Sequence, residues 1–174
     1  MKKALAVVTL VFALALAVPA AERTVLTQAE RDVTVTVLDS RADRTILRFD
    51  INAFNRPVVE IGGQAFVLPS CEREGVLHQA GEPALPRICR SIIIPDNAEM
   101  QIEVLDFDYV DYANTLVAPS KGNLPRTINP EDVPYAFGPV YQTDTWYPGA
   151  LASLREPYIL RDLRGTVVAL HAFP

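Results

Sequence analysis

The chain has 174 residues, 49% hydrophobic and 21% charged, with 14 prolines and 8 glycines, a composition that supports a buried core and excludes disorder, collagen and coiled coil. At about 150 residues per domain, one domain is the expectation. Lys2 and Lys3 are the only charges before Ala21 and contribute +2 to the formal −5, so the remainder carries −7, which disfavours phosphate backbones and anionic lipid and removes nucleic acid as a partner.

In chain order, Lys2-Lys3 precede an uncharged apolar run from Ala4 to Val18 and the small residues Val18-Pro19-Ala20-Ala21, the three-part layout of a secretory signal. Residues 1–20 are therefore read as a signal peptide cleaved after Ala20, leaving a domain over residues 21–174. The apolar run is short of the ~20 residues a membrane span needs, so no stable anchor is expected after cleavage. Export through the periplasm to the cell surface or medium follows. In an oxidising compartment Cys71 and Cys89 are expected to pair, closing a loop worth ~3 kcal/mol in the chain-entropy model.

From Thr24 onward, short runs rich in Val, Ile, Thr and aromatics recur between turn residues, and helical periodicity is absent. The pattern predicts an all-β domain, an antiparallel sandwich or barrel-like fold. Thr34–Leu38 sets Val33, Val35 and Val37 on one face, and Ile46–Ile51 does the same for Leu47, Phe49 and Ile51. Val58–Ile61 and Gln64–Leu68 are joined by Gly62-Gly63, a link that tolerates the positive φ of a tight hairpin. Further strands are expected at Ile92–Ile94, Met100–Phe107, Asp108–Tyr112, Thr115–Val117, Tyr158–Leu160 and Thr166–Phe173. Asn129-Pro130-Glu131-Asp132 reads as a single helical turn with Asn129 as its cap. Ala118–Pro157 holds seven of the 14 prolines and most of the Tyr and Trp, and is expected to be one long, ordered connection.

Reactive constellations are sparse. The only histidines are His78 and His171, and a Cys/His78 dyad is incompatible with a disulfide. There is no phosphate loop, dinucleotide turn or zinc helix. Asp106, Asp108 and Asp111 offer oxygen ligands without the spacing of a calcium loop, and Asp106/Asp108 on one strand face read as solvated rather than as a glycosidase pair. No metal, no cofactor and no catalysis by this chain are expected. Arg161, Asp162 and Arg164 read as an ion-pair network ordering the turn near Gly165.

Several motifs occur in a fixed order: Gly81-Glu82-Pro83-Ala84-Leu85-Pro86, Leu116-Val117-Ala118-Pro119-Ser120-Lys121-Gly122, Asn129-Pro130-Glu131-Asp132-Val133-Pro134-Tyr135, Tyr147-Pro148-Gly149 and Tyr158-Ile159-Leu160-Arg161-Asp162-Leu163-Arg164-Gly165-Thr166. This series resembles the N-terminal propeptide of gingipain-type cysteine peptidases, densely from about Gly81 onward and thinly before. The resemblance implies an all-β prodomain that keeps a downstream catalytic domain latent and assists its folding. That domain, a cysteine endopeptidase, would be the partner. In the family the segment like His171-Ala172-Phe173-Pro174 continues into further strands, so residues 21–174 are read as a prodomain short of its last strands.

Because the family selects Arg or Lys at the cleavage position, the resemblance also points to the loop Lys121–Thr127. Pro125 fixes φ and extends Leu124, and Arg126 offers a planar fork suited to a carboxylate. Arg126 is read as the residue entering the specificity pocket, Leu124, Pro125 and Thr127 as its flanks, and Lys121 as a substitute anchor; a solvated loop arginine is the alternative. Tyr141, Trp146 and Tyr147 either form a docking platform or line the domain's own core. The rival function is a secreted carbohydrate- or surface-binding β-sandwich using those aromatics.

Overall fold

The computed structural model describes residues 22–173. The expected signal peptide over residues 1–20 and its expected cleavage point lie outside the described residues. Eleven strands are present: β1 (Glu22–Val25), β2 (Val33–Ser40), β3 (Thr45–Ile51), β4 (Ala53–Arg56), β5 (Val58–Ile61), β6 (Gln64–Val67), β7 (Gly75–Val76), β8 (Pro86–Ile93), β9 (Ala152–Leu154), β10 (Tyr158–Leu160) and β11 (Leu163–Leu170). Every strand pair is antiparallel. The largest sheet runs β10-β11-β8-β7, with β9 also on β11, and three two-stranded ribbons (β1-β4, β2-β3, β5-β6) complete the fold without closing a barrel.

The expected hairpins form. β2 and β3 place Val33 opposite Ile51 and Val35 opposite Phe49, so the face seen in the alternation enters the core. The cluster of Val33, Phe54, Cys71 and Ile88 is flanked by Val35, Phe49, Ile51, Leu170, Ala172 and Phe173. It joins the β2-β3 ribbon to the centre of the large sheet, where Ile88 sits opposite Leu170. The apolar Phe173 is no loose end: its ring meets that of Phe54 edge-on at 5.0 Å. β5 and β6 turn through Gly62 (φ 60°) and Gly63 (φ 81°), the left-handed pair a two-residue hairpin requires.

Asp32, only 1% exposed, ties the ribbons together. Its carboxylate accepts from Arg23 at 2.5 Å and from the Glu72 amide at 2.7 Å. Burial alone would raise its pKa, but the Glu72 N–H and the Arg23 guanidinium outweigh it and hold the carboxyl below its ordinary range. Asn52 bridges the same corner, donating to the Arg31 carbonyl and to Thr34 Oγ1.

Three expectations are corrected. Met100–Phe107 and Asp108–Tyr112 are not strands: residues 101–114 are all exposed, and no backbone hydrogen bond involves residues 99–115 among the described residues. Alternation marks a segment suited to half-burial, but a strand exists only where a neighbour pairs with it. Thr115–Val117 contributes only a parallel bridge from Val117 to Val67.

Second, Cys71 and Cys89 are separate thiols. Cys71 packs in the cluster that contains Ile88, and the residue after Ile88 on an extended strand points to the opposite face, so Cys89 is turned away. Third, Arg164 does not pair with Asp162 but donates to the carbonyls of Pro95 and Ala98 at 2.8 and 2.9 Å, tying the start of the long connection to β11. Asp106, Asp108 and Asp111 are exposed along the extended stretch.

Candidate functional site

The long connection leaves the large sheet after Ile94 and returns at β9. Its middle is fixed by backbone pairing on two sides. The Val67 amide donates to Leu116 O at 2.8 Å, and the Ala118 amide returns to Val67 O at 2.9 Å. On the other side the Ala84 amide donates to Ala118 O at 3.0 Å. Ala118, Pro119 and Ser120 are buried, and the triplet is threaded between β6 and the Pro83–Leu85 segment.

Beyond it the chain projects and then comes back to the same place. The Gly81 amide donates to Ser120 O at 2.9 Å, Ser120 donates to Glu82 O at 2.7 Å, and the Gly138 amide donates to Gly81 O at 2.7 Å. One dipeptide, Gly81-Glu82, thus roots both ends of the loop. Gly81 has φ +83°, and a Cβ on Gly138 would lie 2.8 Å from Gly81 O, so the approach depends on glycine at both positions.

Within the loop, Gly122 adopts φ +81° and its amide donates to Ser120 Oγ. The Ile128 amide donates to Pro125 O at 3.0 Å, closing a turn with Arg126 and Thr127 at its two corner positions. Pro125, Arg126 and Thr127 are exposed, while Leu124 is half-buried. The expected helical turn follows as a 3-10 turn over Pro130–Asp132, with Asn129 Oδ1 accepting from the Glu131 amide. Lys121 Nζ donates to Pro130 O at 2.7 Å and lies 4.2 Å from the centre of the Tyr135 ring. The ammonium is thus engaged inside the domain.

The three aromatics separate. Tyr141 stacks edge-on with Phe137 at 4.9 Å, and Phe137 meets Phe66 at 5.3 Å. Tyr141 Oη donates to Val117 O at 3.0 Å. Burial, with the Glu82 charge adding to it, pushes the Tyr141 and Tyr147 phenols above their ordinary range, so both remain neutral. Tyr141 and Tyr147 are half-buried, whereas Trp146 is 74% exposed. The three do not form one exposed strip.

No reaction centre assembles among the described residues. Burial first, then the charges of Asp32 and Glu74, push the Cys71 thiol up to about 12, far from a thiolate at neutral pH. His78 is exposed, and His171 Nε2 lies 3.3 Å from Ser153 Oγ. Two shallow depressions, about 520 and 510 Å³, are lined by residues including Arg23, Thr27 and Glu30 and by residues including Asp32, Glu74 and Arg90. Neither contains a nucleophile beside a base.

The open, antiparallel all-β architecture, with no reaction centre assembled among the described residues, is that of an accessory domain. The chain belongs to the Propeptide_C25 family, whose model matches residues 26–174; as a propeptide it is not the catalytic unit. It is 43% identical over 96 residues to Gingipain R1 of Porphyromonas gingivalis, covering 55% of this chain and 10% of that protein. It is 41% identical over 96 residues to Gingipain R2 of the same organism, covering 55% and 13%. The chain thus spans about a tenth of the length of these relatives.

Among solved structures it is similar to the complex of P. gingivalis RgpB pro- and mature domains, with TM-score 0.73, 30% identity, and coverage of 79% of this chain and 72% of that one. The structure of gingipain K from P. gingivalis described for zymogenic latency shares the fold, with TM-score 0.59, 19% identity, and coverage of 79% and 85%.

The sequence placed Arg126 in a loop and Asn129 at a cap. It did not reveal Gly81-Glu82 as the common root, the partner role of Gly138, or the Lys121 contact with Pro130 and Tyr135. The motif Gly81–Pro86 was visible as text, but hydrogen bonds to residues some forty and sixty positions downstream leave no periodic signal.

Proposed function

We propose that this domain is the inhibitory and folding-assisting prodomain of an exported gingipain-like cysteine endopeptidase, obstructing the catalytic cleft with Arg126. One observation carries the reading: Arg126 stands at the exposed corner of a turn whose flanks are fixed to the body of the domain. A protruding, pre-ordered arginine meets an acidic specificity pocket with little entropy left to lose. The charged hydrogen bonds so formed contribute ~1.5–3 kcal/mol, with Leu124, Pro125 and Thr127 covering neighbouring subsites and Trp146 adding apolar contact at the rim. The similarity to a pro-domain seen with its mature domain supports the choice of partner. A carbohydrate-binding role would require a strip of exposed aromatics, which Tyr141 and Tyr147 do not supply.

The test is inhibition of an arginine-specific gingipain-type peptidase by the full chain. Arg126→Ala should weaken inhibition at least about thirtyfold, the size of a binding hot spot, and Arg126→Lys should lie between. Equal inhibition by wild type and Arg126→Ala rejects the pocket role.

A further inference from the structure

We infer that Lys121 is a positioning residue: its ammonium, held by the Pro130 carbonyl and the Tyr135 ring, latches the loop across its neck and fixes the turn that carries Arg126. The role depends on the reading of Arg126 given above, because Lys121 would act through that residue. Lys121 follows the rooted Ser120 directly, and Pro130 opens the 3-10 turn capped by Asn129. The Nζ–O contact of 2.7 Å therefore joins the outgoing limb of the loop to the returning one, nine residues on. Pro130 O also accepts from the Val133 amide at 3.3 Å, so the carbonyl that receives Lys121 is itself oriented by the turn.

The chemistry suits a latch. Among the described residues no carboxylate lies within ion-pair distance of Lys121, although Glu131 and Asp132 are close in sequence. Its charge is met by the Pro130 carbonyl dipole and the face of the Tyr135 ring at 4.2 Å, and a cation over a ring is attracted by the ring quadrupole. Between the latch and the tip, the only further backbone closure among the described residues is the Ile128 amide to Pro125 O bond. Removing the latch leaves that bond, with the Gly122 amide on Ser120 Oγ and the Asn129 cap at the two ends, to order the arm bearing Arg126.

A loosened loop differs from a latched one in two measurable ways. It binds a cleft more weakly, because ordering is then required at the moment of association. It is also cut faster, because proteolysis follows the population of the opened form. The experiment compares the full chain as wild type, Lys121→Met, Lys121→Arg and Tyr135→Leu. The readouts are the rate at which dilute trypsin cuts the Arg126–Thr127 bond, followed by mass spectrometry, and inhibition of the arginine-specific peptidase.

Lys121→Met should cut roughly five- to tenfold faster and inhibit weaker by a similar factor, with the thermal midpoint unchanged. Lys121→Arg, which retains charge and stacking, should stay within about twofold of wild type. If Lys121→Met fails to fold, Tyr135→Leu removes the ring alone and should still speed cutting by about threefold. Cutting at the wild-type rate in Lys121→Met, or in Tyr135→Leu where that variant stands alone, overturns the latch. Faster cutting in Lys121→Met together with full inhibition by Arg126→Ala upholds the latch and rejects the pocket role.

Discussion

Two stretches of the long connection lie outside regular strands, and they are built in opposite ways. Residues 116–141 satisfy their backbone through Val67, Gly81, Glu82 and Ala84, and through a capped turn, so an arginine can stand out from an ordered frame. Residues 101–114 have strand-like alternation, yet they are exposed along their whole length, with Leu105, Phe107 and Tyr109 open to solvent. Only the end of that stretch is tethered, where Tyr112 meets Phe54 edge-on and lies under Arg56. The difference teaches that order outside a sheet comes from paired backbone groups at the ends of a segment, not from its hydrophobic content.

The largest effect that would sharpen this contrast is the loss of inhibition expected for Arg126→Ala, since no comparable residue exists in the extended stretch. Gly138→Ala comes next. Its Cβ would sit 2.8 Å from Gly81 O, so the root of the loop must shift, and unfolding in denaturant should show ~1–3 kcal/mol of lost stability.

Asp32→Asn serves as a control away from the loop. Replacing a buried acceptor of two hydrogen bonds should cost ~1–3 kcal/mol at pH 7 while leaving inhibition by the folded protein unchanged. Because the native Asp32 pKa is lowered, its stabilisation is present above the ordinary value of about 3.9 and is lost as pH falls through the native value. Denaturant midpoints at pH 7 and below 4 should therefore differ less for the Asn variant than for wild type. The smallest effects belong to the extended stretch: Leu105→Ser or Phe107→Ser should change stability by no more than about 0.5 kcal/mol. Hydrogen exchange should find amides 101–112 unprotected and those of Ala118, Ser120 and Gly138 slow; equal exchange in the two regions would break the comparison.

Much of the sheet framework was legible. β2-β3, β5-β6 and β10 were visible because alternation and turn residues agree there, and Asn129 because a cap is a local event. β7 and β9 are only two and three residues long, too short for any period. The stretch around Ile102–Val110 misled because residue type reports suitability for a strand and not the presence of a neighbour. The thiols misled for a related reason: their number and spacing say nothing about which faces of the sheet Cys71 and Cys89 occupy. For the site, motif order pointed to the loop, whereas its anchoring lies in bonds between distant segments.

Because both limbs of the loop are rooted in Gly81-Glu82, the exposed tip over Pro125–Thr127 is a replaceable insert. It can be rewritten, for example to carry a different basic or an apolar bait residue, without altering any strand register. On the proposed inhibitory reading, the residue offered to a protease can then change, or be engineered, separately from the stability of the scaffold that displays it.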